Sequence, residues 1–240
     1  MYYLIKKLST NHYSWMILKP TFRLFLLGLI FLFIHGCSTL AVQQQTTADP
    51  THQYFMEIAF GSEFGSKQTR IKKWRKNIHL QVKGQPTETD LQTLKQVITE
   101  LNGLVTPDIT ITHNDANMEM HFVPERRFSE IDKDYQPKNL GYFWTWWNPA
   151  TYEIYRARIL ISSTGITQQE RNHLIREELT QSMGLMNDSQ HYPDSIFYQP
   201  WSRVTNYSKI DKDIIKLLYQ SDIRPGMSQS QTINTLTVTR

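Results

Sequence analysis

The chain has 240 residues, 40% of them hydrophobic, with 26 Lys and Arg against 22 Asp and Glu. Four of those basic residues (Lys6, Lys7, Lys19 and Arg23) and none of the acids fall in residues 1–36, so residues 37–240 carry 22 of each sign and lack the basic footprint of a nucleic-acid binder. The single cysteine, Cys37, excludes an intramolecular disulfide.

Residues 22–34 form an apolar run broken only by Arg23, with Lys19 and Arg23 as its positive flank. At about a dozen residues the run suits the core of a signal peptide and falls short of the ~20 that a membrane-spanning helix needs. It ends in Ile34-His35-Gly36-Cys37, which resembles the bacterial lipobox, with His35 where Ala, Ser or Thr is usual. The resemblance implies cleavage before Cys37 and acylation of that residue, so residues 1–36 read as a lipoprotein signal peptide; an uncleaved signal anchor is the alternative. Met16 opens a more typical leader than Met1. Ser38 is not the Asp that retains many Gram-negative lipoproteins at the inner membrane, so the resemblance points to the bacterial cell envelope and to the periplasmic face of the outer membrane.

Residues 37–53 are polar and low in bulk and read as a tether that spans roughly 20 Å if flexible. Residues 54–224 have the composition of one packed domain. Within it, Ile78, Leu80 and Val82 alternate with polar residues in a strand closed by Gly84. Thr87 and Asp90 stand at capping-box spacing before a helix with Leu91, Leu94, Ile98 and Leu101 as its stripe and Gly103 as its stop. Residues 109–111 and 118–123 read as short strands, and 142–147 and 157–161 as two more, joined through Asn148-Pro149. Thr167 and Glu170 open a second boxed helix running to Met183 ahead of Gly184. A last helix spans about 208–219, with Ile210, Ile214, Leu217 and Leu218 on one face. Residues 225–240, rich in Ser, Thr and Gln, read as a loose tail.

The second boxed helix carries Glu177-Glu178-Leu179-Thr180-Gln181 and continues through Gly184 to Asn187-Asp188. In a zinc peptidase of the His-Glu-x-x-His type, two ligands four residues apart share one helix face, and the intervening Glu activates the metal-bound water. A Gly then lets the chain turn and bring back a third ligand. The same spacing sets Glu177, Gln181 and Asn187 at the three ligand positions, Glu178 at the base and Gly184 at the turn. Ser195-Ile196-Phe197-Tyr198 followed by Ser208-x-x-Asp211 and Leu217-Leu218-Tyr219 is similar to the end of metzincin peptidases, with Phe197 in place of the Met that floors their site. The resemblance covers most of residues 71–219. It implies an α+β, zincin-like fold: a mixed twisted sheet, two long helices and a C-terminal helix. The run Glu-Glu-Leu-Thr-Gln-x-x-Gly-Leu-x-Asn-Asp-Ser also resembles an uncharacterised proteobacterial family of lipoproteins (domain-of-unknown-function family 2927), which supplies no activity.

Every imidazole of the zinc site is replaced, and an amide oxygen is a poor neutral ligand for zinc. Zinc is therefore not expected, and hydrogen bonding among Glu177, Gln181, Asn187 and backbone groups is preferred. An oxygen-liganded ion held by Glu177, Glu178, Asn187, Asp188 and Asp194 is the alternative. His173 and His191 read as surface or boundary residues. The strand at 157–161 takes, by the metzincin resemblance, the place that pairs with substrate peptide at a sheet edge. In the aromatic run at 142–147, Trp144 and Trp146 share a face with Tyr142 and are candidates to line a cleft. Two functions follow. The first is a non-catalytic, zincin-derived domain, anchored to the membrane by lipid, that binds an extended peptide or cell-wall fragment. The other is a hydrolase using Glu178 as general base, with an unorthodox metal or none.

Overall fold

A computed structural model describes residues 49–61 and 69–238. The signal peptide, Cys37 and the tether up to residue 48 lie outside the described residues. No helix among those described is long and apolar enough to cross a membrane.

The first helix, α1 (Pro50–Phe60), begins inside the expected tether. Asp49 caps it by accepting from Thr51 N–H at 2.9 Å, and Pro50 sits in the first turn, where a missing N–H costs nothing. Tyr54, Phe55, Ile58 and Phe60 are buried in the main core, so the packed domain takes in residues 50–53 of the expected tether.

Six strands follow: β1 (Lys73–Trp74), β2 (Ile78–Gly84), β3 (Ile109–Ile111), β4 (Met118–Val123), β5 (Gly141–Trp147) and β6 (Glu153–Ser162). β3, β2, β4 and β6 lie side by side and parallel, β1 continues parallel beside the start of β6, and β5 pairs antiparallel with β6. The expectation that residues 157–161 form the edge is corrected. β6 is interior, with Ala157 opposite Met118 on one side and Thr145 on the other, and the antiparallel edge is β5.

Two boxed helices cover one face of the sheet. In α2 (Glu88–Asn102), Asp90 N–H donates to Thr87 Oγ1 at 3.1 Å and Thr87 N–H to the Asp90 carboxylate at 2.7 Å. In α4 (Gln168–Gln181), Thr167 and Glu170 repeat the device. Asp90 also accepts from Gln168 and Arg171 of α4, so the two helix starts are fastened together. Leu94, Val97, Leu101, Leu174, Ile175 and Leu179 meet Ile78, Leu80, Met120, Phe122, Ile159 and Ile161 in the core. On the other face, a single 3-10 turn and the short α3 (Phe128–Ile131) roof one end. Phe128, Tyr135, Tyr142 and Leu160 form a smaller apolar cluster there, with Tyr135 edge-on to Phe128 and Tyr142 at 5.1 and 5.5 Å.

Helix α5 (Lys209–Tyr219) closes the main core and packs on α1. Its carboxyl end is held by the buried Lys73 ammonium, which donates to the carbonyls of Leu218, Gln220 and Ile223. The residues expected to form a loose tail instead make α6 (Gln229–Val238). Thr232 and Leu236 are buried and the helix packs on α1, because its few apolar residues recur at helical spacing.

Candidate functional site on helix α4

Helix α4 is polar in sequence, yet 11 of its 14 residues are buried. Residues 199–207, between the turn at 195–198 and α5, run across its outer side. Glu170 accepts from Trp201 Nε1 at 2.9 Å and pairs with Arg203 at 3.1 Å, while Val204 offers its carbonyl to His173 at 2.6 Å. Thr180 and Tyr207 hydroxyls meet at 2.6 Å. The hydrogen bonds from Thr167 and Trp201 hold the Glu170 carboxyl at about 2, well below its ordinary value.

Glu177 and Glu178 are adjacent and buried, but consecutive helix residues point in different directions. Glu177 turns toward His173, its Oε2 lying 3.2 Å from Nε2. His173 is therefore a buried ion-pair partner and not a surface residue. Burial pulls its imidazole down, but the Glu177 carboxylate and the Val204 carbonyl more than offset this, and its pKa is raised. Glu178 turns toward the start of β5. A Cβ on Gly141 would sit 2.3 Å from Glu178 Oε1 and 2.8 Å from Leu174 Cδ2, so this carboxylate lies directly against the Gly141 backbone.

Gln181 donates to Asp188 at 2.6 Å. Asn187 donates its side-chain amide to the Asp188 carbonyl at 2.6 Å and to the Glu57 carbonyl at 3.4 Å. It also fills the space at Gly61, where any Cβ would come within 2.1 Å of Asn187 Cγ. The carboxyl end of α1 is thus seated on the third ligand position, and His191, paired with Glu57 at 2.8 Å, adds to that contact. Gly184 occupies the turn as expected: its φ is +121°, and a Cβ would meet the Lys72 carbonyl at 2.1 Å. Phe197 is fully buried. Its turn is held by Asp211, which accepts from Ser195 Oγ at 2.5 Å and from Ile196 N–H at 3.2 Å, and Tyr54 reaches Ser195 at 2.7 Å. Burial raises the pKa of Asp211.

The residues present do not fit a transition metal. The side chain at each ligand position is engaged by a different neighbour: Glu177 by His173, Gln181 by Asp188, and Asn187 by main-chain carbonyls. Among the described residues, no group of three or more His, Cys, Asp or Glu is arranged to hold an ion, and Asp194 is exposed. The preferred hydrogen bonding is present in altered form. Gln181 and Asn187 meet through Asp188, while Glu177 is committed to the segment beyond the turn.

The position of β5 relates this helix to a surface. Ser162 N–H donates to the Leu140 carbonyl, so residues 142 and 144 bond toward β6, and Gly141, Phe143 and Thr145 turn their N–H and C=O groups to the outer edge, which no other strand among the described residues pairs. Thr145 lies against Met186 on the α4 side of the sheet. Trp144 and Trp146 lie on the opposite side, so they do not line the surface of α4. Trp146 is stacked by Arg156 and Arg158 at 4.9 and 5.5 Å, and Trp144 is 37% exposed. Gly61 and Gly141 are the site residues that the motifs gave no sign of, whereas His173 was expected at the surface and Asp188 only as a candidate ion ligand.

A family model described as protein of unknown function (DUF2927) matches residues 48–238. No curated protein matches the chain. Fifty-five solved chains do, among them the metallopeptidase myroilysin, which is 10% identical over 62% of this chain and 98% of its own, with a TM-score of 0.40.

Proposed function

The chain belongs to this family of unknown function, and on that premise we propose that it is a lipid-anchored domain of the bacterial envelope that binds an extended peptide or wall-derived fragment without hydrolysing it. The observation that carries the reading is the outer edge of β5, where among the described residues no strand pairs with the outward positions Gly141, Phe143 and Thr145 beside α4. A peptide added there gains main-chain hydrogen bonds, and its side chains alternate between two walls. One wall holds Glu178, Leu174 and Met186; the other holds Trp144. Cys37, by its lipobox-like setting, supplies the anchor at the periplasmic face of the outer membrane, and the short tether keeps this edge near the membrane surface.

The committed neighbours of Glu177, Gln181 and Asn187 favour binding over cleavage, since Glu178 would have to activate water with no Lewis acid beside it. Titration of the full chain in detergent with extended peptides and peptidoglycan stem peptides tests this. Binding that Thr145→Pro abolishes, with no turnover, is the expected result. Turnover that Glu178→Gln removes would establish a hydrolase instead.

A further inference from the structure

The partner that Glu177 binds is part of the chain. Glu177 Oε2 lies 3.2 Å from His173 Nε2, and His173 Nδ1 lies 2.6 Å from the Val204 carbonyl oxygen. A carbonyl and a carboxylate only accept, so both neighbours favour the protonated ring, and the pKa of His173 is raised. Glu177 and Arg176 act on it from its own helix, and the Val204 carbonyl from the segment laid across that helix. His173 is 4% and Glu177 9% exposed, so water does not compete for the pair. One turn earlier, Glu170 takes Trp201 and Arg203 of the same segment, which continues the line of attachment along α4.

We infer that Glu177 is committed to a partner within the chain instead of a metal: Glu177, His173 and Val204 fasten residues 199–207 across α4, and the chain takes up no transition metal through positions 177, 181 and 187. The other two positions have equivalent duties. Gln181 ties α4 to Asp188, and Asn187 ties the following loop to the end of α1. The inference stands apart from the peptide reading, because a metal-free protein that binds no peptide would defeat that reading alone.

The test uses the full chain purified in detergent without chelator. Metal content is measured by mass spectrometry, thermal unfolding is followed with and without excess zinc chloride, and amide exchange is compared for wild type, Glu177→Gln and His173→Asn. The expected result is well under one zinc per chain, no rise in midpoint with zinc, and exchange faster by about tenfold at residues 199–207 in both variants, with β2 and β4 unchanged. One zinc per chain with a raised midpoint would overturn the inference, as would folded variants whose exchange at 199–207 matches wild type. If neither variant folds, the metal and zinc measurements on wild type decide.

Discussion

At the scale of single residues, the account rests on side chains that have exchanged one partner for another. His173 is the sharpest case. Its pKa is raised in the folded state, so the stabilisation it supplies is complete below its ordinary value of 6.5 and is lost as pH rises through the higher folded value. Urea unfolding across that range is expected to show wild type losing stability as pH rises, and His173→Gln showing a flatter profile. Gly184 gives a second prediction. With φ at +121° and the Lys72 carbonyl in the place of a Cβ, Gly184→Ala is expected to cost about 2 kcal/mol or more in chemical denaturation. The turn glycine was legible from its spacing after the helix. The partner of Glu177 was less so, because a His four residues away on a helix is as common on a surface as in an ion pair, and only the segment folded over α4 decides between them.

At the scale of elements, local signals and tertiary packing divided the work. The capping boxes at Thr87, Thr167 and Ser208 are each formed, so the starts of α2, α4 and α5 were readable from side chains that bond within one turn. The two short helices at the ends were not. The first turn of α1 fell in what read as tether, with no helix expected there, and α6 is Ser-, Thr- and Gln-rich, with only Thr232 and Leu236 buried. Both helices are recruited by packing on each other. Leu236→Ala is therefore expected to destabilise the domain by about 2–3 kcal/mol, whereas a truly loose tail would show no effect on the thermal midpoint. The strand order had the same character. Residues 142–147 and 157–161 were read as successive strands, but which of them lies at the edge depends on β4 pairing with β6, a contact between distant segments that neither strand encodes alone.

At the scale of the whole molecule, a one-sided sheet separates two kinds of surface. The face with α4 contains the buried acids of that helix, and the other carries Trp144, Trp146, Arg156 and Arg158 beyond the small roof at 124–140. β5 touches both at the sheet edge, since its alternate side chains point to each and its outward amides lie between them. That geometry makes it the place where an extended chain gains most. Thr145→Pro removes one outward N–H without breaking a pair with β6, so it is expected to weaken peptide binding at least tenfold while leaving the thermal midpoint within a few degrees. The most direct measurement is amide exchange at Gly141, Phe143 and Thr145 in the full chain, with and without saturating peptide. The account predicts that these three amides become strongly protected when peptide is bound. Binding that protects other segments and leaves these three exchanging as in the free protein would contradict it.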